Sequence, residues 1–240
     1  MNFFKVPLTL TFQEVLPFLK MNKEPSPQEK KLIEHYLMEI KQKAQPIGVW
    51  KTFPVKYWSP EKISLEGSPL LLEGKNTAQH FQTCEQITLL ATTLGAEIDC
   101  LLAHLSPRNP AHALIADGVA STAIESFTEQ LDCYLSTQIR RKGYFPTARF
   151  SPGYGDWALN WQKEFLISLD SKKIGIATTP YFLLQPCKSV TAALGWSNIP
   201  LERSYTAPSS TKKPAKKPCC SAHTCHYCQL ASSCPDRFKY

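Results

Sequence analysis

The chain has 240 residues, of which 43% are hydrophobic and 20% charged, so it can bury an ordinary globular core. No run approaches eighteen apolar residues, and the N-terminal segment alternates apolar with polar residues, so neither a membrane span nor a secretion signal is indicated. We therefore expect a cytoplasmic protein with no membrane partner. In such a reducing compartment, clustered members of the nine cysteines are expected to bind metal rather than form disulfides.

The positive charge is concentrated at one end of the chain. The formal net charge is +7, and the segment from Arg203 to Tyr240, with seven Lys/Arg and one Asp, carries +6 of it. Residues 1–202 are therefore almost neutral. A protein that binds nucleic acid with its main domain is expected to have a basic body, so this distribution argues against that class.

Apolar periodicity predicts the elements of the first half of the chain. Residues 6–12 alternate apolar and polar, which predicts a half-buried strand. An apolar stripe over residues 32–40 predicts an amphipathic helix, and residues 49–58 return to strand-like alternation. Residues 76–84 resemble a capped helix start, and residues 86–95 a buried strand that ends at a glycine.

The second half is dominated by one long helix. A short helix is predicted over residues 96–105, and apolar residues recur every four positions from 110 to about 139, after a proline at the start. The remaining predictions are a helix at 163–170, strands at 147–152 and 172–180, and either a strand or a turn of helix at 189–196. Because helices and strands do not alternate regularly, we predict an α+β fold with a mainly antiparallel sheet.

The segment RFSPGYGDWALNWQ, residues 149–162, is the most unusual of the chain. Pro152 fixes its own φ, and Gly153 permits conformations closed to other residues, so the turn can offer bare backbone groups to a small ligand. Arg149 can hold a carboxylate or phosphate with its planar fork, and Tyr154 and the two tryptophans offer flat apolar surface. The alternative is a Pro-Gly turn between core elements, with the aromatic rings packed inward and Arg149 paired to a carboxylate on a helix.

Several ordered blocks of sequence resemble one family. LLATTLGAEID, STAIESFTEQL, RFSPGYGDWAL and DSKKIGIATTPYFLLQPCKSVTAALGW together resemble the reactivation domain of cobalamin-dependent methionine synthase. The resemblance is greater to the small free-standing version found beside shortened synthases that lack this domain, and it spans about residues 63–196. It implies a helmet-shaped α+β domain with a bent, mainly antiparallel sheet and flanking helices.

The resemblance also implies a binding site. It assigns contacts with S-adenosylmethionine to four residues: Glu125, Arg149, Ser151 and Gly153. Tyr154 would face the corrin of cobalamin, and Lys188 and Ser189 would line the same cavity. Judged without the family, Glu125 would be a solvated carboxylate on the polar face of the long helix, and Lys188 an exposed lysine.

The same resemblance implies that the chain is a reactivation component, a methyltransferase component that serves a cobalamin-dependent methionine synthase. The family rescues oxidised cobalamin by one-electron reduction coupled to methylation from S-adenosylmethionine. The sulfonium is already activated, so the protein has to align and shield the reactants and needs no nucleophile or acid–base pair. The implied partners are a shortened synthase that holds the cobalamin and a low-potential electron donor such as flavodoxin or ferredoxin.

The C-terminal segment carries a separate prediction. We divide the chain into an activation-like domain at 1–202, a basic Pro/Ser/Lys linker at 203–218 and a Cys-rich tail at 219–240. The predicted metal ligands of the tail have a C-x4-C-x2-C-x5-C spacing: Cys220, Cys225, Cys228 and Cys234. The spacing suits an iron–sulfur cluster, and two nearby histidines make zinc an equal fit. A nucleic-acid-binding or regulatory protein with a zinc-knuckle-like tail therefore stays as the alternative function.

Overall fold

The structure is a computed structural model that describes residues 1–19, 21 and 24–201. It has an α+β fold in which helices flank a curled, mainly antiparallel sheet, and this confirms the predicted class. The predicted linker and Cys-rich tail, with all four proposed metal ligands, lie outside the described residues.

Six α-helices are described. They are α1 Phe12–Val15, α2 Pro27–Lys43, α3 Lys75–His80, α4 Ala96–Leu105, α5 Pro110–Arg141 and α6 Gln162–Leu169. Helix α2 begins with a capping box, because the Ser26 side chain accepts from the Glu29 N–H and the Glu29 carboxylate accepts from the Ser26 N–H. Among the described residues, no helix combines the length and the apolar character needed to cross a membrane.

Nine strands are described, most of them in one sheet. They are β1 Asn2–Phe4, β2 Ile47–Ser59, β3 Lys62–Leu65, β4 Leu71–Glu73, β5 Cys84–Thr93, β6 Phe145–Pro146, β7 Ala177–Thr178, β8 Leu184–Gln185 and β9 Ser189–Ser197. The order in the large sheet is β4-β3-β2-β5-β9-β6, with β1 paired to β2, while β7 and β8 form a separate two-stranded sheet. Both β5 and β9 are apolar and largely buried, as expected for central strands.

The chain divides into two compact units. Of the described residues, the first unit contains those within 1–49, 91–133 and 170–190, and the second contains those within 50–90, 134–169 and 191–201. The core of the first unit lies between the apolar stripes of α2 and α5, which include Ile33, Ile40, Val119 and Ala123. Tyr36 of α2 and His112 of α5 are also hydrogen-bonded, at 2.9 Å.

The core of the second unit is built from aromatic rings. Phe150 and Trp157 lie nearly parallel, with ring centroids 6.3 Å apart and 14° between their planes. Trp157 in turn contacts Phe165 of α6 at 6.1 Å between centroids, and Phe81 meets Phe150 edge-on. Large buried rings supply much of a core's hydrophobic stabilisation, so this cluster fixes the segment that carries Phe150 and Trp157.

The strand predicted over residues 6–12 is wrong, although its burial alternates as expected. Leu10 is buried and Thr9 exposed, yet none of the described residues 5–11 forms a strand. The Thr9 carbonyl accepts from the Ser126 hydroxyl, and the Thr9 hydroxyl accepts from the Gln130 amide. In a strand, a neighbouring strand would satisfy the backbone of Thr9 through ladder hydrogen bonds. Here the side chains of α5 supply hydrogen bonds to Thr9 instead.

Two further strand predictions are only partly right. Residues 147–152 form no strand of their own, and their described pairing is the single antiparallel bridge between Phe150 and Ala193. Residues 172–180 were predicted as one strand, but the chain forms a 3-10 turn at Ser171–Ile174 and only a two-residue β7. Gly175 follows that turn with a φ of 73°, a left-handed conformation that ends the turn before β7 begins.

Candidate functional site

The candidate ligand loop, residues 149–162, is fixed to β9 where it begins. The Phe150 N–H donates to the Ala193 carbonyl at 3.0 Å, and the reverse bond measures 2.7 Å. One residue later, the Ser151 hydroxyl donates to the Thr191 carbonyl at 2.6 Å. Arg149 is half-buried immediately before this double attachment, so its backbone position is well defined.

The tip of the loop is a closed turn. The Gly153 N–H donates to the Trp157 carbonyl at 2.7 Å, and the Tyr154 N–H donates to the Ser151 carbonyl at 3.0 Å. The turn therefore uses these two N–H groups internally, which corrects the expectation that they are bare. Gly153 has a φ of +93°, and a Cβ there would lie 3.2 Å from Leu159 Cδ1. A side chain at this position would be both strained and crowded.

Only one of the three aromatic rings predicted to offer a flat surface is well exposed. The Tyr154 side chain is 46% exposed, whereas Trp157 is 1% exposed and its indole N–H donates to the Leu71 carbonyl at 3.1 Å. Trp161 is half-buried and donates its indole N–H to the Glu73 carboxylate at 3.1 Å. The alternative of inward packing is therefore right for Trp157. Of the three rings, that of Tyr154 has the exposed surface that was predicted.

Asp156 attaches the far side of the loop to the start of α3. Its carboxylate accepts from the Asn76 N–H at 2.8 Å, from the Thr77 N–H at 3.1 Å and from the Thr77 hydroxyl at 3.0 Å. Burial raises the pKa of Asp156, but the hydrogen bonds from Asn76 and Thr77 outweigh it and leave the pKa below its usual value. Gly74 has a φ of +124°, and a Cβ on it would overlap this carboxylate.

In the first unit, Glu125 belongs to a polar stripe on α5. Asp117, Ser121 and Glu125 are spaced four residues apart, so they follow one another along one side of the helix. The Lys188 ammonium donates to the Asp117 carboxylate at 2.7 Å and to the Ser121 hydroxyl at 2.9 Å. The Lys188 side chain is only 12% exposed, so the expectation of a simply exposed lysine is wrong. Its charge is fixed about one helical turn from Glu125.

The neighbours of Lys188 are also tied to fixed elements. The Ser189 and Thr93 hydroxyls are hydrogen-bonded at 2.9 Å, and the Cys187 N–H donates to the Asp99 carboxylate at 2.8 Å. Partial burial, followed by the Asp99 charge, raises the pKa of the Cys187 thiol. A thiol that stays protonated at neutral pH is a poor nucleophile, in keeping with the predicted structural role of Cys187.

The predicted site residues thus form two groups. Arg149, Ser151, Gly153 and Tyr154 share one loop of the second unit, and Glu125, Lys188 and Ser189 lie in the first unit. Sequence reasoning missed the residues that attach both groups: Asp117, Ser121, Asp156, Gln162 and Thr191. The four-residue spacing from Asp117 to Glu125 was visible in the sequence, whereas nothing there pointed to Thr191. Among the described residues, no cluster of His, Cys, Asp or Glu could hold a metal ion.

The fold is of a class already seen in solved structures. No family model matches the chain, and no curated protein matches it. The chain is similar to a crystal structure of the MetH reactivation domain bound to AdoHcy, with a TM-score of 0.55 and 16% sequence identity. The similarity covers 83% of this chain and 73% of that chain. At this identity it shows a related fold, and membership of the free-standing version stays a prediction.

Proposed function

We propose that this chain binds S-adenosylmethionine and presents it to reduced cobalamin held by a partner synthase, as a reactivation component. The observation that carries the proposal is the related fold of a reactivation domain that binds AdoHcy, the product left when S-adenosylmethionine gives up its methyl group. The loop with Arg149, Ser151, Gly153 and Tyr154 adds support, because it is an ordered turn with an exposed aromatic tip.

The Arg149 loop suits the amino-acid end of the methyl donor. Arg149 would hold the ligand carboxylate with its planar fork, since a guanidinium forms two parallel hydrogen bonds to a carboxylate. The side-chain-free Gly153 would let the ligand approach the backbone of the turn. The Ser151 hydroxyl is already donated to the Thr191 carbonyl, so its contribution would be as an acceptor or through the backbone.

The polar stripe of α5 suits the cationic groups of the ligand. Glu125 would pair with the ammonium or the sulfonium, which are the two positive charges of S-adenosylmethionine. Lys188, which is hydrogen-bonded to Ser121 one turn before Glu125, would line the same cavity. The chain itself would then do no more than bind, orient and exclude water.

Tyr154 is proposed to contact the cofactor of the partner rather than the methyl donor. Its ring is 46% exposed at the tip of the loop, so it can lie against a flat surface. When bound, the cobalamin would supply reduced cobalt that takes the methyl group from the sulfonium and leaves AdoHcy. The electron for the reduction would come from a low-potential donor such as flavodoxin or ferredoxin.

The proposal is tested by mixing the chain with an oxidised, inactive synthase that lacks its own reactivation domain, S-adenosylmethionine and a low-potential reductant. We expect the cob(II)alamin absorbance to fall and methionine formation to return. Tyr154→Ala should keep the affinity for S-adenosylmethionine, measured by calorimetry, and lose the reactivation.

Tyr57→Ala is the matched control, because Tyr57 is 54% exposed on β2 of the same unit but lies outside the loop. This variant should reactivate like the wild type. Failure of the wild-type chain to restore activity to a cognate synthase would overturn the proposed role. If Tyr154→Ala and Tyr57→Ala behave alike, Tyr154 has no contact with the cofactor.

A further inference from the structure

Both ends of the candidate ligand loop are attached to a single residue. At its start, the Ser151 hydroxyl donates to the Thr191 carbonyl at 2.6 Å. At its end, the Gln162 amide N–H donates to the Thr191 hydroxyl, also at 2.6 Å. The backbone and the side chain of Thr191 therefore close the loop at its base, around the turn that carries Gly153 and Tyr154.

Thr191 is a rigid point of attachment. It is 4% exposed and lies in β9, two residues before Ala193, which exchanges two backbone hydrogen bonds with Phe150. Backbone that is paired and buried opens rarely, so whatever bonds to Thr191 takes over its fixed position.

Gln162 carries a feature that packing does not explain. It is 2% exposed at the start of α6, and its side-chain oxygen is buried with no hydrogen-bond partner among the described residues. A buried acceptor without a partner costs free energy, whereas an apolar side chain of similar shape would fill the same space at no such cost. The presence of an amide here is explained by its N–H group, which donates a hydrogen bond to the Thr191 hydroxyl.

We propose that Gln162 and Thr191 are positioning residues that hold the loop in its ligand-receiving conformation before any ligand binds. This inference rests on the proposed function for its ligand, since neither residue needs to touch S-adenosylmethionine. A loop that is ordered in advance loses less conformational freedom on binding, so the affinity is higher. Removing the attachment should therefore weaken binding without removing a ligand contact.

The test removes both partners together. In Gln162→Met combined with Thr191→Val, two apolar side chains of similar shape replace the hydrogen-bonded pair, which leaves stability nearly unchanged. We expect the loop amides of Gly153, Tyr154 and Trp157 to exchange with deuterium about tenfold faster, since their bonds lie within the loop. The calorimetric affinity for AdoHcy should fall by about tenfold.

The matched control is Thr92→Val combined with Thr128→Val. These two fully buried hydroxyls are hydrogen-bonded at 2.7 Å in the first unit and contribute nothing to the loop. The control should leave both loop exchange and affinity unchanged. Thr191→Ser keeps the hydroxyl and the carbonyl, so it should keep the wild-type exchange rates and affinity. Gln162→Asn, whose shorter amide cannot reach Thr191, should reproduce the double variant if the latter folds poorly.

The outcomes separate this inference from the function on which it rests. Unchanged loop exchange in a folded double variant would overturn the positioning role, whatever the ligand. Faster exchange with unchanged AdoHcy affinity would also overturn it, because a preformed loop would then not matter for binding. If the wild-type chain fails to bind AdoHcy although exchange accelerates, the proposed function fails, and the attachment of the loop by Thr191 is supported.

Discussion

The two groups of candidate residues are held in place by different physics. The loop of residues 149–162 depends on hydrogen bonds that involve backbone groups, such as those from Ser151 to Thr191 and from Asn76 to Asp156. The polar stripe of α5 depends instead on the charge of Lys188, which is nearly buried against Asp117. Substitutions in the loop should therefore act through geometry, whereas substitutions at the stripe should act through charge.

The largest effect is expected where geometry is most restricted. Gly74→Ala places a Cβ against the Asp156 carboxylate at a φ of +124° that other residues rarely adopt. We expect a loss of about 3 kcal/mol in the free energy of unfolding, measured by urea denaturation, from backbone strain together with displacement of Asp156. Gly67→Ala is the control, since its φ is +70° but nothing lies within 4 Å of the added Cβ. Equal losses in the two variants would show that Asp156 does not need this close approach.

The second-largest effect is expected on the affinity of the loop for its ligand. Arg149→Lys keeps the charge and removes the planar fork, so the affinity for S-adenosylmethionine should fall roughly tenfold or more, about 1.4 kcal/mol or above. The control is Arg140→Lys in the exposed last turn of α5, where calorimetry should detect no change. An unchanged affinity in Arg149→Lys would remove Arg149 from the ligand site.

For the polar stripe of α5, we predict that substitution of Asp117 destabilises the protein more than substitution of Lys188. Asp117→Asn leaves the charge of Lys188 nearly buried and poorly compensated, because the Lys188 side chain is only 12% exposed. Lys188→Met leaves the Asp117 carboxylate, which is 55% exposed and can be solvated. We expect Asp117→Asn to cost about 1 kcal/mol and Lys188→Met to cost less, in thermal unfolding at neutral pH. The reverse order would mean that Lys188 is stabilised by other groups.

The smallest effect is a dependence on pH at the loop. Burial raises the pKa of Asp156 in the folded protein, but the hydrogen bonds from Asn76 and Thr77 hold it below its usual value, so the ionised carboxylate favours folding. This contribution is fully present above the pKa of the unfolded chain and is lost as the pH falls through the lower folded value. The difference in unfolding free energy between wild type and Asp156→Asn should therefore be constant near neutrality and shrink only in acid. A difference that grows on acidification would contradict the lowered pKa.

Sequence periodicity was sufficient for the elements whose burial repeats regularly. The apolar stripes predicted α2 and α5 closely, and the continuous apolar run predicted β5, because one buried face imposes a period on the sequence. The failed strand at residues 6–12 has that period too. Whether such a segment pairs with a strand or with the side chains of α5 depends on what lies beside it, which the period does not record.

The candidate site also has one part that the sequence could identify and another that only the structure revealed. Arg149, Ser151, Gly153 and Tyr154 fall in one short segment, so residue types and order alone could identify them as a candidate loop. The residues that hold the candidates in place are far apart in the chain: the Ser151–Thr191 bond spans 40 positions, the Lys188–Asp117 pair 71 and the Asn76–Asp156 bond 80. Only the tertiary structure determined these contacts and the burial of Trp157, because they depend on the path of the chain through space. The sequence by itself determined which groups are available in the loop, and the fold decided which of them are exposed and how firmly they are held.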